Sequence, residues 1–134
     1  MNDNLIDILF GKGKEGIYKI GDVEIKLTTL QLKDREEIEN VIKGMDVLAQ
    51  TAPYRKAILA RSIVSINGIP LISFKEIKSS IEENQKRNNM VDINIIKEEA
   101  ISSLDSVLID YIYENFYLDL VKRRRDEIEA QKKV

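Results

Sequence analysis

Cysteine, histidine and tryptophan are all absent from this chain. Without cysteine there is no disulfide framework, no thiolate nucleophile and no thiolate metal ligand. Without histidine the commonest general base and the commonest zinc ligand are gone. Proline occurs twice and glycine six times in 134 residues, so little interrupts helices. Neither sign of charge dominates: 21 Lys and Arg stand against 23 Asp and Glu, a net charge of −2. That balance gives no general attraction to nucleic acid or to an anionic membrane surface. Long hydrophobic runs are missing too. Arg61 cuts the run at 58–66, and Asp110, Glu114 and Asp119 cut the one at 107–121, so no segment is expected to span a membrane. Asp3 and Asp7 interrupt the one apolar cluster near the start, which therefore does not read as a secretory signal.

What is present suits a globular chain. Hydrophobic residues make up 43% and charged residues 33%, a composition that can fill one core. Residues 4–10 offer Leu5, Ile6, Leu9 and Phe10 as an anchor of one or two helical turns. GKGKEG follows at 11–16. Its spacing matches G-x-G-x-x-G, but that fingerprint needs a strand before it and a helix after it. Here the order is reversed, so the stretch reads as a flexible linker. Residues 16–27 form a β-hairpin around Gly21-Asp22, with a type I′ or II′ turn. Tyr18 is then paired with Ile25 and Lys19 with Glu24, leaving Tyr18, Ile20, Val23, Ile25 and Leu27 on the apolar face.

Helical patterning takes over from there. Thr28, with Gln31 three residues on, reads as a capping box for a helix over 29–43 that ends at Gly44. Its apolar side is Leu30, Leu32, Ile38, Val41 and Ile42. Asp34, Glu36, Glu37 and Glu39 are its solvated side rather than a metal site. A second helix opens near Pro53 and extends to Ile66, where Asn67-Gly68 either stops it or turns a small hairpin whose second arm, at Pro70, is confined to a sheet edge. Ser73 and Glu76 form another capping box, for a helix with Phe74, Ile77 and Ile81 inward, fading into a polar loop at 83–89. Asp92 or Asn94 caps a short helix bearing Ile95, Ile96 and Ile101.

Ser103 or Asp105 starts the longest helix, which has neither Gly nor Pro as far as Lys133. Leu108, Ile109, Ile112, Tyr113, Phe116 and Leu120 share one face, and Leu104, Val107, Tyr111 and Leu118 a second. Either both stripes are core, or the second is a surface for a partner or for a second copy of the chain. Three of the four cations at 122–125 are matched by acids at i+4, as Lys122–Asp126, Arg123–Glu127 and Arg125–Glu129, and the run so reads as a solvated helix end. Ile38, Val41, Ile58, Ile63, Ile112 and Phe116 are the expected core. No internal repeat or domain boundary is visible. The expected fold is a single, mainly α domain: a flexible segment at 1–15, one N-terminal β-hairpin at 16–27, a helical body at 28–121 and a charged helix end at 122–134.

No constellation specifies catalysis. Ser62 and Lys56 do not share a helix face and no G-x-S-x-G occurs, so a non-enzymatic role with no cofactor or metal is expected. The succession of LTTLQLKDREEIENVIKG after a hairpin, ARSIVSINGIPL, and LDSVLIDYIYENFYLDL resembles the small tail proteins of tailed bacteriophages, the tail assembly chaperones and baseplate hub assembly proteins. The resemblance covers roughly residues 16–125 and rests on pattern rather than an invariant motif. It implies a protein that binds the long helical tape-measure protein, or a baseplate hub protein, in the host cytoplasm during assembly. The alternative it implies is a structural component of the virion tail. Leu104, Val107, Tyr111 and Leu118 would be the partner-binding residues, in a helix-in-groove mode.

Overall fold

The computed structural model describes residues 13–86 and 92–131. The anchor expected at 4–10 lies outside the described residues, as do the side chains of Glu76 and Ile77.

The hairpin forms in the expected register. Strand β1 (Glu15–Ile20) pairs antiparallel with β2 (Val23–Thr28), setting Tyr18 against Ile25, Lys19 against Glu24 and Ile20 against Val23. Gly21 has φ 58° and Asp22 is not in the positive-φ region, which is the type II′ pattern rather than I′. Ile25 and Leu27 are buried, whereas Val23, beside the turn, is exposed. Residues 13–16 are no free linker. Thr29 N–H donates to the Lys14 carbonyl at 2.9 Å, and Lys14 N–H donates to Thr29 Oγ1 at 2.8 Å. A Cβ on Gly13 would lie 2.4 Å from the Thr29 carbonyl oxygen, so glycine is the residue that fits this close approach.

Helix α1 spans Leu32–Ile42 and starts later than expected. Thr28 belongs to β2, and the cap is Gln31, whose backbone N–H bonds the Asp34 carboxylate at 3.1 Å. Gly44, at φ 83°, takes the expected position past the C-terminus. Ile38 is buried, but Leu32 and Val41 are exposed. With a late start and one contact face, α1 buries a narrower stripe than its composition suggested.

Helix α2 (Thr51–Ser62) is shorter than expected, because Ile63–Ile66 is strand β3. Of the two readings of Asn67-Gly68 the hairpin is the one that holds: the helix has already ended at Ser62, and Asn67-Gly68 turns β3 into a short second arm. Asn67 (φ 51°) and Gly68 (φ 79°) are both in the left-handed region, which is the type I′ turn. Strand β4 is Ile69–Pro70. The sequence pattern did not show that β3 joins the first hairpin. The sheet has four antiparallel strands in the order β1-β2-β3-β4, with an irregularity opposite Leu27. Asn67 ties the hairpins together: its N–H donates to the Glu24 carbonyl at 2.8 Å, and its Oδ1 accepts from Glu24 N–H at 2.7 Å. Ser62, fully buried, donates from Oγ to the Thr28 carbonyl at 2.7 Å, so the end of α2 is fastened to the end of β2.

Helices α3 (Lys75–Lys86) and α4 (Ile93–Ile101) follow. α3 continues through part of the stretch expected as loop. Asp92 caps α4, accepting from Asn94 and Ile95 N–H, and Ile96 and Ile101 are buried while Ile95 is exposed. The last helix begins after Asp105, whose carboxylate accepts from Val107 and Leu108 N–H. It consists of α5 (Ser106–Tyr111), a π-helical turn (Ile112–Tyr117) and α6 (Leu118–Gln131). The fold is thus mainly helical, with an antiparallel sheet at the N-terminal side and a long C-terminal helix. The core joins Ile25, Leu27, Ile38, Ile58, Leu59, Ile63, Ile112, Phe116 and Leu120. Val41 is the one residue of the expected core that stays outside it.

Candidate interaction surface

The π turn governs what the last helix shows to solvent. Leu118 N–H donates to the Tyr113 carbonyl, five residues back, and the extra residue per turn disturbs the usual pairing at its start. Asn115 Nδ2 donates to the Tyr111 carbonyl at 3.1 Å, giving that acceptor a side-chain partner. One inserted residue rotates everything beyond it by about 100° relative to a continuous α-helix. Ile112 and Tyr117, five apart, therefore come to the same side, and both are buried.

Two aromatic groups lock this turn in place. Tyr18 stacks on Phe116 with centroids 4.9 Å apart, and Tyr111 meets Phe116 edge-on at 5.5 Å. The Tyr18 hydroxyl donates to Asp119 at 2.8 Å, and the Arg123 guanidinium lies over the Tyr18 ring. Burial and then that hydrogen bond to a carboxylate push the Tyr18 phenol up to about 12. On the α2 side, Tyr113 stacks on Tyr117 at 5.7 Å and meets Tyr54 edge-on at 6.3 Å. Burial, reinforced by Tyr54 and Tyr113, also raises the Tyr117 phenol to about 12. Arg55 reaches across from α2 to Asp110 at 2.8 Å and Glu114 at 2.9 Å, with its guanidinium over Tyr113. Asp110 and Glu114, which in the sequence read only as charges that cut an apolar run, are thus the anchor for α2.

A second ionic link was not legible. Arg61 reads as a charge that interrupts an apolar run, yet its side chain is 5% exposed and holds Glu37 at 3.2 Å and the buried Glu98 at 3.7 Å. It also donates to the Ala57 carbonyl at 3.0 Å. α1, α2 and α4 are joined through this one guanidinium. At the far end of the last helix, Glu127 is held by Lys14 and Arg124 rather than by Arg123, and these contacts lower its carboxyl below the usual range. The i,i+4 pattern could not anticipate a partner from the strand side.

The four residues expected to bind a partner are all exposed: Leu104 at 42%, Val107 at 74%, Tyr111 at 49% and Leu118 at 43%. They do not form one straight stripe. Leu104 precedes the helix cap, Val107 and Tyr111 share a line on α5, and the π turn carries Leu118 onto another line. Further exposed apolar residues lie in the connection between α1 and α2, where Val47 is 77% and Leu48 92% exposed. Val47 borders an open hollow of about 340 Å³ with Tyr54, Arg55 and Tyr113. Their signal in the sequence was an apolar pair outside any helical period. Among the described residues no cluster of Asp or Glu could hold a metal ion, and no helix is long and apolar enough to cross a membrane. The arrangement can present apolar and aromatic side chains from a braced helix. Comparison with protein-family models, curated proteins and solved structures returned no match for this chain.

Proposed function

We propose that this chain is a non-catalytic morphogenesis protein of a tailed bacteriophage, acting as a tail assembly chaperone that binds the tape-measure protein. The resemblance described above supplies the class. The observation that carries the binding role is the exposure of Val107 and Tyr111 on α5, a helix held in place by its Asp105 cap and by Asp110 on Arg55. A tape-measure chain is a long amphipathic helix that needs cover before assembly, and an exposed apolar helix face is suited to that task. Tyr111 suits such a place because its ring supplies apolar area while its hydroxyl can stay wet. The protein would act in the host cytoplasm, without a cofactor, nucleic acid or membrane.

The test is co-expression with the tape-measure protein encoded in the same genome. The parent chain is expected to co-purify with it and keep it soluble, the Val107→Ser/Tyr111→Ser variant to lose the partner, and Val107→Asp, which leaves the Tyr111–Phe116 contact intact, to lose it while staying folded. Retention of the partner by either folded variant sinks this surface. Mass spectrometry of purified particles separates the two roles: a chaperone is absent from them, whereas a structural component of tail, baseplate or hub is present.

A further inference from the structure

The free edge of the sheet carries a pattern that binding through α5 does not use. Among the described residues β1 is an edge strand. The two-residue turn makes Ile20 and Val23 exchange backbone hydrogen bonds, and alternation extends this to Tyr18 with Ile25 and Gly16 with Leu27. Two hydrogen bonds confirm the parity. Thr29 N–H donates to the Lys14 carbonyl, two residues before Gly16, and Asn67 N–H donates to Glu24, which faces Lys19. Glu24 therefore turns its backbone away from β1. The backbone groups of Glu15, Ile17 and Lys19 accordingly point away from β2, and no strand among the described residues pairs with them. Their side chains lie on the outer face, with Ile17 60% exposed.

We propose that this edge recognises a second copy of the chain, β1 pairing antiparallel with β1 about a two-fold axis through Ile17. In that register Ile17 meets Ile17, Glu15 meets Lys19 of the second copy, and Lys19 meets its Glu15. All three outward-facing residues exchange backbone hydrogen bonds, and the two sheets become one. The charges select this arrangement over its neighbours. Parallel in-register pairing sets Glu15 against Glu15 and Lys19 against Lys19, while a slip of two residues puts Ile17 against a charge. Charged edge strands usually repel other strands, but opposite charges placed symmetrically about an apolar centre are self-complementary, as an isologous interface requires. The contacts within the hairpin, Lys26–Glu15 at 2.8 Å and Lys19–Glu24 at 3.5 Å, remain compatible, since each carboxylate accepts more than one donor.

The test is sedimentation equilibrium of the full chain as a function of concentration, with thermal melts to show that each variant is folded. The parent is expected to dimerise reversibly. Glu15→Lys and Lys19→Glu, each alone, are expected to weaken the dimer about tenfold or more by setting like charges opposite. An equimolar mixture of the two is expected to restore it as a heterodimer, because each chain then carries one sign at both positions and meets the other sign. Ile17→Asp, which places like charges on the axis, is expected to abolish it. A parent that stays monomeric at every concentration overturns the proposal. So do folded single-charge variants that dimerise as tightly as the parent, or a mixture that gains nothing. Capture of the tape-measure protein through α5 is a separate readout, unaffected by these substitutions.

Discussion

The first turns of the last helix and the turn that follows differ in what holds them. On α5, Val107 and Tyr111 face solvent, and the segment is fixed by its Asp105 cap and by Asp110 on Arg55. In the π turn and the start of α6, Ile112, Phe116, Tyr117 and Leu120 are all buried. Apolar content is similar in both, so hydrophobicity alone does not decide burial. The difference lies in the neighbours: β1 supplies Gly16 and Tyr18 against Leu120 and Phe116, and α2 supplies Tyr54 against Tyr113. The apolar residues of α5 that face away from these neighbours remain open.

The sharpest way to break that contrast is to place a charge on the buried side. Ile112→Asp is expected to cost more than about 4 kcal/mol, because the carboxylate has no partner there, and circular dichroism should show an unfolded chain. A variant that melts like the parent would mean the face assignment is wrong. Next comes the support that positions α2. Arg61→Met leaves Glu98 buried without its cation and should lower stability by about 3–5 kcal/mol. Adding Glu98→Gln is expected to recover a large part of this in chemical denaturation.

Alkaline titration probes the aromatics on the buried side. The Tyr117 phenol keeps its proton up to about 12, against an ordinary 10.0. The folded state therefore holds this proton more tightly than the unfolded one. Its contribution to stability is complete below about pH 10 and is lost as pH rises towards 12. Phenolate absorbance should accordingly show a late-titrating class that shrinks in Tyr117→Phe and in Tyr18→Phe, and an early titration of all five tyrosines would contradict it. Asn115→Ala, which removes the partner of the Tyr111 carbonyl, should cost about 1 kcal/mol in a thermal melt. The smallest effect on folding is expected on the open side. Val107→Ser should shift stability by no more than about 0.5 kcal/mol, and a larger loss would show that α5 is covered.

The sequence by itself determined the elements whose signals are local. Gly21-Asp22 between alternating apolar residues set the first hairpin and its register, since a two-residue turn leaves one pairing. Gly44 was legible because caps are chemistry of neighbouring residues, and Asp92 and Asp105 were each one of two starts considered. Ile112 and Phe116 were placed in the core by helical spacing, with Leu120 on the same face. Only the tertiary structure decided the rest. Nothing in the order of residues shows that Ile63–Ile66 joins β2, because that pairing spans almost forty residues and depends on α2 folding back. Arg61 looked like an interruption because its carboxylates come from two other helices. The π turn escaped a reading based on 100° per residue, and with it the separation of Tyr111 from Leu118. That phase is set by Tyr18, Tyr54 and Arg55 closing on the helix from both sides, where tertiary packing outweighs the local preference for an unbroken α-helix.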